Sequence, residues 1–292
     1  MSKGLLDPKV DFVFKNIFGS PNHPEILISF LNATLKAKKK IVNVDIKKTD
    51  IEKQYIEDKY SRLDVKATTS NDEIINIEIQ LKNENNMVKR SLYYLSKMYE
   101  EQLNGKEDYS KLVRTVCINI LNFKYLKTDN FHTGYRFKEI ESNEELTDIM
   151  EVHFIEIPKL QDSSDEKDML VAWTEFLKDP ESEKVRGLEL SIEEIRQAKD
   201  ELIRMSNDST QRELYDMRAN SLRDKMSELN AAERKGIEKG REEGREEGRK
   251  EGIEEGRKEE KIEIARNMKL SGLDTNTIAK ITNLSEDEID KL

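Results

Sequence analysis

RLDVKATTSNDEIINIEIQ (residues 62–80) decides how this chain is read. Leu63, Val65 and Ala67 alternate with Arg62, Asp64 and Lys66. After the turn-forming run Ser70, Asn71, Asp72, the residues Ile75, Ile77 and Ile79 alternate with Asn76, Glu78 and Gln80. Strict period-two alternation on both sides of a turn cluster predicts a β-hairpin with one apolar and one polar face. Glu78 and Gln80 then project to one side, about 7 Å apart along the strand. Asp64 joins them only if the register permits, which for directly paired strands requires an odd-length loop or a bulge.

Outward from the hairpin, the pattern predicts an α/β sandwich. A short helix is expected over 5–18. A second, entered by Pro24, carries Ile26, Leu27, Phe30, Leu31 and Leu35 at helical spacing, and a β region opens at Ile41. Downstream, a helix over 86–104 carries Leu92, Leu95, Tyr99 and Leu103 on one face and stops at Gly105. LVRTVCINIL (112–121) is apolar on both faces, as a doubly covered central strand should be. Strands are also expected at 133–140 and 149–157. Past Gln161 strand signals stop, and helices are expected over 166–178, 191–205 and 209–231. Composition suggests four segments: 1–160 as the sheet domain, 161–235 helical, 236–262 a charged helix or linker, and 263–292 a small helical module.

Of the chain's 50 basic and 60 acidic residues, 25 of each fall in 1–160. The remaining 25 basic and 35 acidic residues carry the whole net charge of −10. Phosphate-backbone affinity comes from Lys and Arg, so an acidic chain is a poor generic nucleic-acid binder, though the sheet domain alone is neutral. The lone Cys117 excludes an internal disulfide and a cysteine-based zinc site, and its apolar neighbours predict a buried, inert thiol. His23, His132 and His153 have no metal-ligand spacing. With no apolar run of membrane-spanning length and no leader-like start, a cytoplasmic protein is expected, with no membrane partner.

Two carboxylates meeting on an open strand face repel unless they are protonated or share a cation. Oxygen ligands that leave room for water suit Mg²⁺, which polarises a phosphodiester and acidifies water. A strand face turned simply to solvent gives the same residue pattern. The balance shifts on longer matches: DPKVDFVFKNIFG (7–19), ILISFLNATL (26–35), RLDVKAT, INIEIQ, KRSLYYLSKMYEEQLNGKEDYSKL (89–112) and VCINILNF (116–123). These resemble the recombination-promoting nuclease (Rpn) family, also called transposase-like, within the PD-(D/E)XK nuclease superfamily. The core motif is D-x13-E-x-Q followed by R-x3-Y.

The resemblance implies a restriction-endonuclease-like core, a mixed central sheet flanked by helices, followed by an all-α C-terminal region. It implies a Mg²⁺-dependent DNA endonuclease of little sequence specificity, acting in recombination or phage defence, with Mn²⁺ or Ca²⁺ as alternative ions. Asp64 and Glu78 match the two metal-binding carboxylates. Gln80 stands where the superfamily usually carries the lysine that orients the attacking water. An amide is neutral but can hydrogen-bond a water or ligate through its carbonyl, so a second reading, a catalytically weak DNA-binding or assembly protein, stays open. Arg90 and Tyr94, one helical turn apart, are placed to hold a phosphate, or simply to stack on each other. Asp11 and Lys15 fall beside the site in the family pattern, Asp11 as a further metal ligand and Lys15 as a substrate contact; a surface ion pair accounts for them equally well.

From Gly236 a tetrad repeat places glycine at 236, 240, 244, 248, 252 and 256. Each costs about 1 kcal/mol in a helix interior, while ion pairs such as Glu242–Arg245 return only about 0.2–0.5 kcal/mol. The segment is therefore either a loosely helical linker or a helix closely approached by another, which would make the protein a dimer, with apolar residues such as Ile237, Ile253, Ile278, Ile281 and Leu284 supplying buried area. The last thirty residues read as a small helix-turn-helix with a capping box, Ser285-x-x-Glu288. Its second helix, SEDEIDKL, is acidic and favours a protein-interaction role over DNA reading.

Overall fold

The structure, a computed structural model, describes residues 4–37, 39–47, 64–165 and 167–292. Arg62 and Leu63, which open the expected hairpin, lie outside the described residues. The chain divides into two compact units, 1–222 and 223–292.

The first unit is built on a six-stranded mixed sheet: β1 (Val44–Lys47), β2 (Val65–Thr69), β3 (Ile74–Gln80), β4 (Thr115–Leu121), β5 (His132–Lys138) and β6 (Glu145–Glu156), in the order β1-β2-β3-β4-β6-β5. The central β3, β4 and β6 run parallel, and the flanking strands are antiparallel. Every residue of β4 is buried, so its doubly apolar sequence reflects cover on both faces.

One face of the sheet is packed by α1 (Asp11–Phe18), α2 (Pro24–Leu35), α4 (Met169–Lys178), α5 (Glu183–Ser191) and α6 (Glu193–Asn207), around Phe14, Phe18, Phe30, Ile77, Ile118, Trp173 and Leu202. Gly19 closes α1 where any Cβ would fall 2.6 Å from the Lys15 carbonyl and 3.3 Å from Val65, so the absent side chain lets the helix end sit against β2. The opposite face is covered by α3 (Met87–Glu100), which lays Met87, Tyr94, Leu95 and Met98 over Cys117, Leu121 and Phe154.

Four expectations shift. The expected 160/161 boundary is not where the units part, because α4 to α6 complete the core of the first unit. The first helix begins at Asp11, and residues 183–207 form two helices broken at Ile192. The polar face of the hairpin is not open. Asn76 and Glu78 are 1% and 2% exposed because α3 lies across them.

The Gly-tetrad segment is helical, within α7 (Ser209–Leu270). Beyond the helix's own nearby backbone and the adjoining residues, no atom of the described residues stands within 4 Å of a Cβ built on any of its six glycines. Among its ion pairs are Lys239–Glu243 at 3.6 Å and Glu246–Lys250 at 3.3 Å. The second unit ends in α8 (Thr275–Thr282) and α9 (Glu286–Asp290), the latter opened by the expected capping box of Ser285 and Glu288. Ile278 and Leu284, offered above as dimer surface, are instead buried with Ala265 and Ile289 in this unit's own small core, while Ile281 stays 55% exposed.

Candidate active site

The site starts from the β2–β3 turn. Thr69 N–H donates to the Glu73 carbonyl at 2.9 Å, enclosing the three-residue loop Ser70, Asn71, Asp72, and Asp72 takes the left-handed conformation at φ 60. A three-residue loop with its last residue left-handed is a standard hairpin closure, and Asp tolerates that region better than most residues. It fixes the register at Val65 opposite Ile77. Extended one residue past its last paired position, the same register would set Asp64 opposite Glu78, and the two carboxylates lie close enough for their charges to interact. The odd loop length that co-location of the two carboxylates demands is met.

Asp64 Oδ2 accepts a 2.7 Å hydrogen bond from the Ile79 N–H. Burial pushes its carboxyl up to about 7, and the negative charges of Glu78 and Asp11 add to the rise against the opposing Ile79 hydrogen bond and the Arg90 charge. Glu78 is raised as well, again by burial, with the charge and hydrogen bond of Arg90 and the Asn76 amide opposing it. Arg90 Nε donates to Glu78 Oε2 at 3.2 Å. The other oxygen, Oε1, is buried and accepts no hydrogen bond among the described residues. A buried carboxylate oxygen without a donor is costly.

Arg90 is thus brought to the site. Its guanidinium stands 5.4 Å from the centroid of the Tyr94 ring, and Tyr94 is itself buried in the α3 core face, as a platform. Gln80 ends β3 on the Glu78 face, partly exposed. Asp11 reaches Asp64 only as nearby charge; its Oδ2 accepts from Arg218 Nη1 at 2.7 Å. Lys15 makes no hydrogen bond or ion pair with Asp64 or Glu78, and no set of three His, Cys, Asp or Glu side chains among the described residues is close enough to hold a metal.

Three features lay outside the sequence reading. Asn119, opposite Glu78 on β4, accepts from Ser91 Oγ at 2.9 Å and donates to the His153 carbonyl at 3.0 Å, tying α3 to the sheet beside the site. His132 and His153, distant in sequence, meet across β5 and β6 with ring nitrogens 2.9 Å apart, and His153 reaches Glu151 at 2.7 Å. Glu156 at the end of β6 is fully buried against Lys159. Alternation and helical period are blind to such pairings across strands; only the close spacing of Glu156 and Lys159 was a visible signal. Cys117 is buried and its thiol is pushed up to about 12, chiefly by burial, consistent with an inert side chain.

The family model described as PD-(D/E)XK nuclease family transposase matches residues 8–232. The chain belongs to this family. The nuclease-family match takes in α4 to α6, in keeping with their place in the core. A second model, Rpn/YhgA-like nuclease family, C-terminal HTH domain, matches residues 258–292, the end of α7 with α8 and α9. No curated protein and no solved structure matches the chain. Among the described residues no helix is long and apolar enough to cross a membrane.

Proposed function

We propose that the chain is a divalent-metal-dependent DNA endonuclease with little sequence specificity. The observation that carries this reading is the buried Glu78 with the half-buried Asp64 close enough for their charges to interact, and with Glu78 Oε1 lacking a donor among the described residues. The donor set is all oxygen and suits a hard cation such as Mg²⁺, with Mn²⁺ or Ca²⁺ as substitutes. Asp64 and Glu78 would hold the ion, and Asp11 is the remaining candidate ligand. When bound, the cation supplies Lewis-acid polarisation of the phosphodiester and acidifies water.

The chain's own groups do the positioning. Arg90, braced on Tyr94, neutralises Glu78 and is placed to meet a phosphate beside it. The Gln80 amide accepts from and donates to a water, in the place where a lysine would add charge. Lys15 serves as a peripheral phosphate contact. A role in recombination or phage defence, and a dimer formed through α7 that lets two sites cut both strands, complete the reading.

The neutral Gln80 favours one alternative, a DNA-binding or assembly protein of weak catalysis. Nicking of supercoiled plasmid by the full chain with Mg²⁺, Mn²⁺ or Ca²⁺ decides between them. Conversion to open circles that disappears in Asp64→Ala supports the nuclease. Plasmid retarded on a gel but never nicked with any of the three ions supports the alternative.

A further inference from the structure

The segment that follows β4, Asn122-Phe123-Lys124-Tyr125-Leu126-Lys127-Thr128, is a surface loop held with unusual firmness. Glu156, fully buried, accepts from the backbone N–H groups of Tyr125 and Leu126 through Oε1. Its Oε2 takes the Lys159 ammonium at 2.7 Å, and the same ammonium donates to the carbonyls of Leu126 at 2.7 Å and Thr128 at 2.6 Å. All three donors of Lys159 and both oxygens of Glu156 are thereby spent on the shape of this loop. A buried ion pair is an expensive way to hold surface backbone unless the loop's conformation matters.

The loop is also tied to the carboxylate site. Asn122 N–H donates to the Gln80 carbonyl at 2.9 Å, and the Tyr125 hydroxyl lies 3.4 Å from the Val88 N–H in the first turn of α3, two residues before Arg90. Phe123, Tyr125 and Leu126 pack partly buried against the apolar cluster under α3, with the Phe123 and Tyr125 rings edge-on at 6.3 Å. Lys124 and Lys127 alternate with these anchors and are exposed, as is Lys89 on α3. The segment carries no acidic residue. By contrast, the β5–β6 ribbon carries Glu139, Glu141, Glu144, Glu145 and Asp148 around its tip. The basic charge beside the Gln80 end thus sits on fixed backbone, with exposed Asp129 next after it, while the ribbon at the sheet's edge carries both signs, Arg136 and Lys138 among its acids.

We infer that the loop 122–128 is a preformed DNA-docking surface, with Lys124 and Lys127 contacting backbone phosphates of the strand that reaches the Asp64–Glu78 site. This rests on the nuclease reading for the identity of the polyanion, but its test needs no cleavage. Two charge-matched double variants of the full chain are compared with wild type: Lys124→Ala/Lys127→Ala, and Lys106→Ala/Lys138→Ala, whose lysines are equally exposed but outside the loop. Binding of a short labelled duplex, and of its single strand, is followed by fluorescence anisotropy in EDTA while salt rises from about 50 to about 200 mM.

Each lost phosphate contact flattens the plot of log affinity against log salt by about 0.9 on duplex and about 0.7 on single strand. The loop variant should therefore be shallower than both others by about 1.8 or about 1.4, a roughly tenfold smaller loss of affinity over that range. The form showing the larger change in slope relative to these values identifies the docked strand. Equal slopes for the two double variants overturn the loop assignment, and wild type that still nicks plasmid leaves the nuclease standing. A shallower loop variant in a protein that nicks nothing upholds the loop and overturns the nuclease. Wild type that binds neither form at low salt overturns the docking surface.

Discussion

Two buried carboxylates, on parallel strands of the same mixed sheet, are treated in opposite ways. Glu156 on β6 has both oxygens occupied, by two backbone N–H groups and an ammonium. Glu78 on β3 has one oxygen on Arg90 and one that no donor among the described residues reaches. Both are almost fully excluded from solvent, so burial alone does not separate scaffold from chemistry. What separates them is satisfaction: a closed polar network rigidifies, and an open one waits for a ligand.

The widest separation is expected in catalysis. Asp64→Ala and Glu78→Ala should each lower plasmid nicking by at least about 100-fold, because one ligand removes the Lewis acid and the acidified water together. Near-wild-type rates in either folded variant would end the metal-site reading. Stability should invert the ranking. Glu156→Ala strands the buried Lys159 and is expected to cost about 3–5 kcal/mol in urea unfolding. Glu78→Gln, measured without metal, should stay within about 1 kcal/mol of wild type, since one of its oxygens makes no bond to lose. Equal losses at both sites would erase the contrast.

A smaller effect follows from protonation. The Asp64 carboxyl holds its proton up to about pH 7 in the folded protein, against an ordinary value of 3.8. The folded state thus binds the extra proton, and its stabilising contribution is present in acid and lost as pH rises from about 4 to about 7. In EDTA the melting temperature of Asp64→Asn should pull ahead of wild type across that window and hold a constant lead above it. A lead independent of pH would place the Asp64 carboxyl at its ordinary value. The smallest effect lies in the tail. Gly244→Ala with Gly248→Ala should raise helix propensity by about 1 kcal/mol each yet shift light scattering toward monomer if a second helix lies along the stripe. An unchanged mass with a more stable helix would show that none does.

How much of this was legible beforehand depends on the range of the interaction. The hairpin, the doubly covered β4 and the capping box at Ser285 are written in local period and turn chemistry, and the structure has them in place. That Asp64 and Glu78 could meet was readable as a condition on loop length; that they do required the register. The cover over Glu78 was not readable, because α3's apolar stripe does not say which face of the sheet it will occupy. Nor was the division between units. The residues after Gln161 lose strand character, which looked like a boundary, whereas Trp173 and Leu202 are spent on the far side of the sheet core. The glycine tetrads left helix and linker open because propensity and ion pairing nearly cancel there.

The turn Ser70, Asn71, Asp72 has a consequence for how this gene can change. Side chains on a strand alternate, so the number of residues between β2 and β3 sets a parity. With three, Asp64 and Glu78 share a face. Adding or deleting one residue would either slip the pairing or turn one carboxylate into the packed side around Ile77 and Phe14, while length changes in twos keep the match. Insertions here should therefore be heritable only in pairs, making the turn a short stretch of sequence whose letters are free to drift but whose length is counted.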